Sequence, residues 1–269
     1  MDSKEKLLHI SNELIAYLQE LVTRFEVNEA ELRQVVGFLT RVGQQDEFQL
    51  LFDVLGISVL VDDITHSQEH GGTAHNVEGP LYRAGAPLRT PPVRLCRDDE
   101  EGDILFVSGQ VTATEDGRPL VGAMLDVWQT DRRGYYENQD ESQPEYNLRG
   151  RLLTGEQGRY EFRTIVPGAY EVTRSGPVAD LLRTLGRHGW RPSHIHVKVS
   201  CAGFAPLTTM LFMPGDPWLQ TDAINAVKES LVVQFEKHES QAEMQERGVE
   251  RPFYTCRYDF SLNSALVQG

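Results

Sequence analysis

The sequence predicts an α+β fold: a helical N-terminal domain with its linker over residues 1–75, then an antiparallel β-sandwich over residues 76–269. Two periodicities carry that reading. Up to about residue 65, apolar side chains recur every three or four positions, which lines them along one side of a helix. From about residue 80 they alternate, are rich in Val, Leu and Phe, and are punctuated by Gly and Pro, as short strands of a sandwich or barrel are.

The first helix carries Leu7, Leu8, Leu14, Ile15, Leu18, Leu21, Val22 and Phe25 as an apolar stripe. A second starts at Asn28, a favourable N-cap, with Glu31 as its reciprocal partner, and carries Leu32, Val35, Val36 and Leu39. The third, "FQLLFDVLGISVLVDDI" (residues 48–64), is apolar nearly all round and is expected to be buried, in the body of the protein or in a subunit interface. "HSQEHGGTAHN" (His66 to Asn76) is a polar, Gly-containing linker. "ILFVSGQVTATEDGRPLVGAMLDVWQ" then reads as two strands joined at "EDGR". "GEQGRYEFRTIVPGAY" repeats that grammar, with Tyr160 and Phe162 on one face and Val166-Pro167-Gly168 as a break.

The totals narrow the function. A net charge of −14 leaves no excess of Lys and Arg to neutralise phosphates, so nucleic acid is not the expected partner. No window approaches ~18 uninterrupted apolar residues, which predicts no membrane span. "MDSKEKLLHISNEL" lacks a basic start followed by an apolar run, and Cys96, Cys201 and Cys256 form no CxxC pair. Neither a secretory signal, a disulfide framework nor a thiolate zinc site is indicated, and a reducing cytoplasm is the simplest home.

Candidate chemistry begins at "GRHGWRPSHIHVKV", where His194 and His196 stand two apart at the start of a strand. Residues i and i+2 of a strand share a face, so the two imidazoles lie side by side while Ile195, Val197 and Val199 point into a core. That geometry suits a metal, and it equally suits paired histidines on a solvated face. "RRGYYENQ" supplies Tyr135 and Tyr136 and "TIVPGAYEV" supplies Tyr170, all at turns, where side chains gather at the mouth of a sandwich. Hard tyrosinate oxygens with imidazole and no thiolate favour iron over zinc or Cu(I). The plain alternative is that these tyrosines only pack a ring and hydrogen-bond a hydroxyl.

Four blocks in one order decide between these readings. "EGPLYRAGAP", "VGAMLDVWQTDRRGYY", "NLRGRLLTGEQGRYEFRTIVPGAY" and "GRHGWRPSHIH" resemble the intradiol ring-cleavage dioxygenases, in particular the catechol 1,2-dioxygenase group, from about Glu47 to Asp216. The helical N-terminal region is similar to the catechol branch, because the protocatechuate branch lacks it. The resemblance implies one non-haem Fe(3+) per subunit held by Tyr136, Tyr170, His194 and His196, with Tyr135 at the variable position beside them. It implies that Tyr170 leaves the metal and accepts a proton from the catechol, and that Arg191 faces negative charge developing on the ring. Both atoms of O2 would enter a muconate-type diacid.

The same resemblance implies a substrate pocket lined by Val77, Pro80 and Leu81, with Leu50 and Asp53 from the preceding helix. That strip is similar to enzymes acting on plain catechol. Asp53, however, stands where catechol enzymes often carry proline and hydroxyquinol enzymes carry aspartate, and an acid there could accept a hydrogen bond from a third ring hydroxyl. Met210 stands where many relatives have a polar residue such as glutamine, which suits a bulkier or halogenated ring. Catechol, hydroxyquinol and chlorocatechol all stay open, as does a non-catalytic β-sandwich binding protein. The resemblance further implies a homodimer joined through the N-terminal helices, with a phospholipid in the interface.

Overall fold

A computed structural model describes residues 2–67 and 71–265, so residues 68–70 of the linker lie outside the described residues. Helix α1 spans Ser3–Arg24 and α2 spans Glu29–Gln44. The start of α2 is the reciprocal cap expected there. The Asn28 side chain accepts the Glu31 N–H at 3.1 Å, and the Glu31 carboxylate accepts the Asn28 N–H at 2.9 Å.

The next segment departs from expectation. Residues 48–64 form two helices rather than one, α3 (Phe48–Val54) and α4 (Ile57–Thr65). Gly56 between them is left-handed at φ +73°, a conformation that glycine adopts without a steric penalty and that ends a helix. Nor is the segment buried all round. The bend turns Leu51, Asp53, Val54 and Val59 inward, while Phe48, Phe52, Leu60 and Ile64 stay exposed in the single chain.

Helices and strands follow in the second part. They are β1 (Val93–Arg94), β2 (Ile104–Ala113), β3 (Met124–Gln129), β4 (Arg149–Leu153), β5 (Arg159–Ile165), β6 (Tyr170–Glu171), α5 (Pro177–Thr184) and β7 (Trp190–Arg191). Then come β8 (His194–Ser200), β9 (Leu207–Phe212), β10 (Phe235–His238), α6 (Gln241–Arg247), β11 (Phe253–Arg257) and β12 (Phe260–Leu262). One sheet runs β4-β3-β8-β9 and is antiparallel throughout. The other runs β1-β5-β2-β11-β10 with β12 beside β2, and it is mixed, because β1, β11 and β12 each pair parallel to their neighbour.

The two sheets close face to face. Leu105 and Val107 of β2 and Phe162 of β5 pack in one fully buried cluster with Leu125 and Val127 of β3 and Ile195, Val197 and Val199 of β8. Each such side chain contributes about 1.5–3 kcal/mol relative to leaving it exposed. A second cluster joins Val42 of α2, Leu51 and Val54 of α3 and Val178 and Leu182 of α5 to Met210 and Phe212 of β9. It fixes α3 against the end of the antiparallel sheet where the two histidines begin β8. Among the described residues no helix is long and apolar enough to cross a membrane.

Candidate active site

Strand β8 lies between β3 and β9, with His196 opposite Trp128 on one side and Met210 on the other. The histidine face is therefore not solvated: His194 and His196 are each 2% exposed. Burial, then the nearby Arg191 charge for His194 and the His194 ring for His196, push both imidazoles well below the usual 6.5. Both rings are therefore neutral. His194 Nδ1 meets the Pro192 carbonyl at 2.7 Å, which places the proton on Nδ1 and leaves the Nε2 lone pair facing inward. The two Nε2 atoms face each other at 3.1 Å.

Two glycines bring the tyrosines to this spot. Gly134, at φ +83°, lies against the 169 carbonyl so closely that a Cβ would sit 2.3 Å from its oxygen. Gly168 lies against the Arg132 carbonyl in the same way, at 2.5 Å. The backbones of the "RRGYY" and "VPGAY" turns thus touch, tied further by Gly168 N–H donating to the Asp131 carbonyl at 2.9 Å. As a result the Tyr136 and Tyr170 rings meet edge to face, centroids 5.8 Å apart, and the Tyr170 ring lies 5.7 Å from that of His194. Burial, then its Tyr170 neighbour, pushes the Tyr136 hydroxyl well above 10. Tyr135 stands aside, its hydroxyl accepting from Arg174 at 2.9 Å.

Arg191 arrives by register. The two-residue ladder of β6 and β7 sets it directly opposite Tyr170. Its Nη1 lies 3.4 Å from both the Tyr170 hydroxyl and His194 Nε2, and its Nη2 donates to Met210 Sδ at 3.3 Å. Burial opposes its charge, but the Asp222 carboxylate, 3.2 Å from Nε, outweighs that and holds the guanidinium ionised. Asp222 is itself held by the Ala226 N–H at 2.9 Å.

A cleft of about 510 Å³ is lined by Gln49, Asp53, Ser58, Asp62 and His66 on the helical side and Val77, Glu78, Gly79 and Pro80 on the other, with neither His194 nor His196 in its wall. Gly79 borders His196, since a Cβ there would lie 3.6 Å from the ring. Asp53 is buried and accepts from Gln49 Nε2 at 2.9 Å. Leu50 and Leu81 are half-buried and do not line this cleft; Leu50 packs into the cluster that holds Met210. Met210 is fully buried and turned to Arg191.

Three participants were missed in the sequence. Trp128 stacks flat on His196, centroids 4.6 Å apart and planes 7° apart. Arg149 lies over the Tyr136 ring at 5.4 Å and forms a buried ion pair with Glu137. Asp222 seats Arg191. Only strand register joins Trp128 to His196, so no local motif could have found it. Among the described residues no group of three His, Cys, Asp or Glu could hold a metal, and a metal centre here needs the tyrosine oxygens.

Comparison with known proteins agrees over nearly the whole chain. Residues 4–73 match the family described as Catechol dioxygenase N terminus, and residues 77–264 match the family described as Dioxygenase. The chain is 41% identical over 252 residues to hydroxyquinol 1,2-dioxygenase of Rhizobium sp. (strain MTP-10005), covering 91% of this chain and 85% of that protein. It is 38% identical over 228 residues to catechol 1,2-dioxygenase 2 of Acinetobacter lwoffii, covering 83% of this chain and 82% of the other. The crystal structure of hydroxyquinol 1,2-dioxygenase from Pseudomonas putida DLL-E4 superposes with a TM-score of 0.90 at 35% identity, over 98% of this chain and 94% of that one. With matches to both parts and this degree of identity, the chain belongs to the intradiol ring-cleavage dioxygenase family.

Proposed function

We propose that the chain is a non-haem iron(III) enzyme that opens a catechol carrying a further ring hydroxyl, between its two adjacent hydroxylated carbons. Both atoms of O2 end in the product, a ring-opened diacid. The donor set fits such a metal: two neutral imidazole nitrogens and two phenol oxygens converge in a buried place without thiolate. Tyr136, Tyr170, His194 and His196 would hold the iron, which when bound chelates the catechol oxygens and makes the ring reactive toward O2.

The chain's own residues do the rest. As the phenolate that a bound metal would make of it, Tyr170 would accept a substrate hydroxyl proton at Oη, where the Arg191 guanidinium lies 3.4 Å away. Arg191 is preorganised by Asp222 and Met210, so it needs no reorganisation as charge develops on the ring. Trp128 and the buried Arg149–Glu137 pair hold His196 and Tyr136 in place and keep water from their far sides.

One observation carries the choice of substrate: the buried Asp53 carboxylate on the wall of the cleft whose Gly79 borders His196. Gln49 already donates to Asp53 Oδ1, so a third ring hydroxyl would add a donor for Oδ2, which an unsubstituted or chlorinated ring would not supply. Met210 gives no support to a bulkier ring, because its sulfur is engaged by Arg191. The test is the visible spectrum of the iron-loaded protein before and after anaerobic hydroxyquinol, followed by kcat/KM for hydroxyquinol, catechol and 4-chlorocatechol. A tyrosinate-to-iron band that moves to longer wavelength, and a preference for hydroxyquinol of about tenfold or more that collapses in Asp53→Ala, are expected. A colourless protein with stoichiometric iron would remove the ligand set, and unchanged ratios in Asp53→Ala would remove Asp53 as selector.

The apolar sides of α1 and α2 support a homodimer built through the helices. Leu7, Leu14, Leu18, Val35 and Val36 are all more than half exposed in the single chain, and contiguous exposed apolar surface of this kind marks interaction sites. A phospholipid is the further occupant of that interface in this reading, and native mass spectrometry of the purified dimer reads it directly.

A further inference from the structure

Away from the candidate active site, the outer face of the mixed sheet carries positive charge that the fold does not balance. Arg94 of β1 and Arg163 of β5 are direct cross-strand neighbours, a placement that like charges disfavour. Arg94 is paired with Asp98, but Arg163 forms no ion pair among the described residues. The Nε atoms of both are buried without a hydrogen-bond partner. Burial, and then the Arg94 charge, push the Arg163 guanidinium below its ordinary value. Across the face, the one acid that lines this region, Glu161, is already engaged by Arg247 at 2.8 Å.

These groups line a cleft of about 460 Å³, which shares no residue with the candidate active site. Its apolar walls are Pro92, Leu153 and Phe106, with Arg247 lying over the Phe106 ring, 4.9 Å to the centroid. The size is that of a small-molecule pocket. In a chain of net charge −14, such a surplus of guanidinium beside hydrocarbon walls is a local exception.

We propose that this cleft binds a small carboxylate with an apolar body, of about the size of an aromatic acid, whose carboxylate pairs with Arg163 and whose hydrocarbon packs against Leu153 and Pro92. A carboxylate supplies the partner Arg163 lacks, and a charge-assisted contact of this kind is the strong form of hydrogen bond. The apolar walls argue against inorganic phosphate, which would leave them uncovered. Nothing in this binding requires the metal or the catalytic reading.

The experiment is isothermal titration of the holoenzyme with sodium benzoate, in the wild type, Arg163→Met, Arg94→Met and Arg191→Met. Saturable binding is expected in the wild type and in Arg191→Met, weakened by about tenfold or more in Arg163→Met and in Arg94→Met. Turnover by Arg163→Met is expected to be unchanged, and its Tm equal to or above the wild type, because a like-charge neighbour is removed; Arg163→Gln serves if Met disturbs the fold. Absence of saturable binding in the wild type overturns the proposal. So does binding lost only in Arg191→Met, which would put benzoate in the active site, or equal binding of inorganic phosphate, which would reduce the cleft to surface charge.

Discussion

The N-terminal helices and the β-sandwich treat their apolar residues in opposite ways. Helix α1 has a capped start and a regular apolar stripe, yet none of its residues is buried. Strand β8, a third of its length, buries five of its seven residues. A strand inside a sandwich has neighbours on both edges and a second sheet across its face, so its partners come from the same chain. An amphipathic helix brings only the stripe and needs another surface to cover it, and among the described residues nothing buries that of α1. The lesson is that periodicity specifies which side wants burial and leaves open what buries it.

The sharpest way to break the contrast is at the histidines, whose burial the proposed function assigns to chemistry rather than packing alone. His196→Ala is expected to lose iron and to lower kcat by at least about 10³ while the far-UV circular dichroism stays unchanged. Metal counted per chain beside turnover tests this; an iron-replete variant would show that His196 is a packing residue. Within the sandwich, Phe162→Ala opens a cavity between the sheets and is expected to cost about 3–5 kcal/mol in urea unfolding. A loss below 1 kcal/mol by the same measurement would mean that the sheets close around the gap.

The helices should respond differently. Leu14→Asp with Leu18→Asp alters exposed positions, so chain stability is expected to hold while self-association weakens by about 10²-fold, as for a central interface residue. Sedimentation velocity decides it, and an unshifted mass would mean that this stripe is not the interface. The smallest effect is at the cap: Asn28→Ala removes the acceptor for the Ala30 and Glu31 N–H groups and is expected to cost about 1 kcal/mol in thermal unfolding.

Much of the candidate site could be named from the family resemblance, on residues whose local pattern alone left it open. His194 and His196 are two apart on a strand, and Tyr136 and Tyr170 each close a glycine-containing turn, features that the ordered sequence blocks made readable. Asp222, Trp128 and the Arg149–Glu137 pair were not readable, because each reaches its partner by tertiary approach. The break at Gly56 was missed for a different reason: apolar residues run through it without pause, and composition hid the one residue able to turn left-handed.

Local chemistry, then, was enough for the α+β division, the Asn28 cap, the strand face shared by the histidines and the membership that the four blocks announced. Those depend on contacts within a few residues or on order along the chain. The closure of the sandwich decided the rest. It buried the histidines and so favoured their neutral form, pressed Gly134 and Gly168 against each other's turns until Tyr136 met Tyr170, and set Arg191 opposite Tyr170 with Asp222 behind it. Desolvation, register and backbone approach are properties of the assembled molecule, since each needs a partner from elsewhere in the chain before it exists.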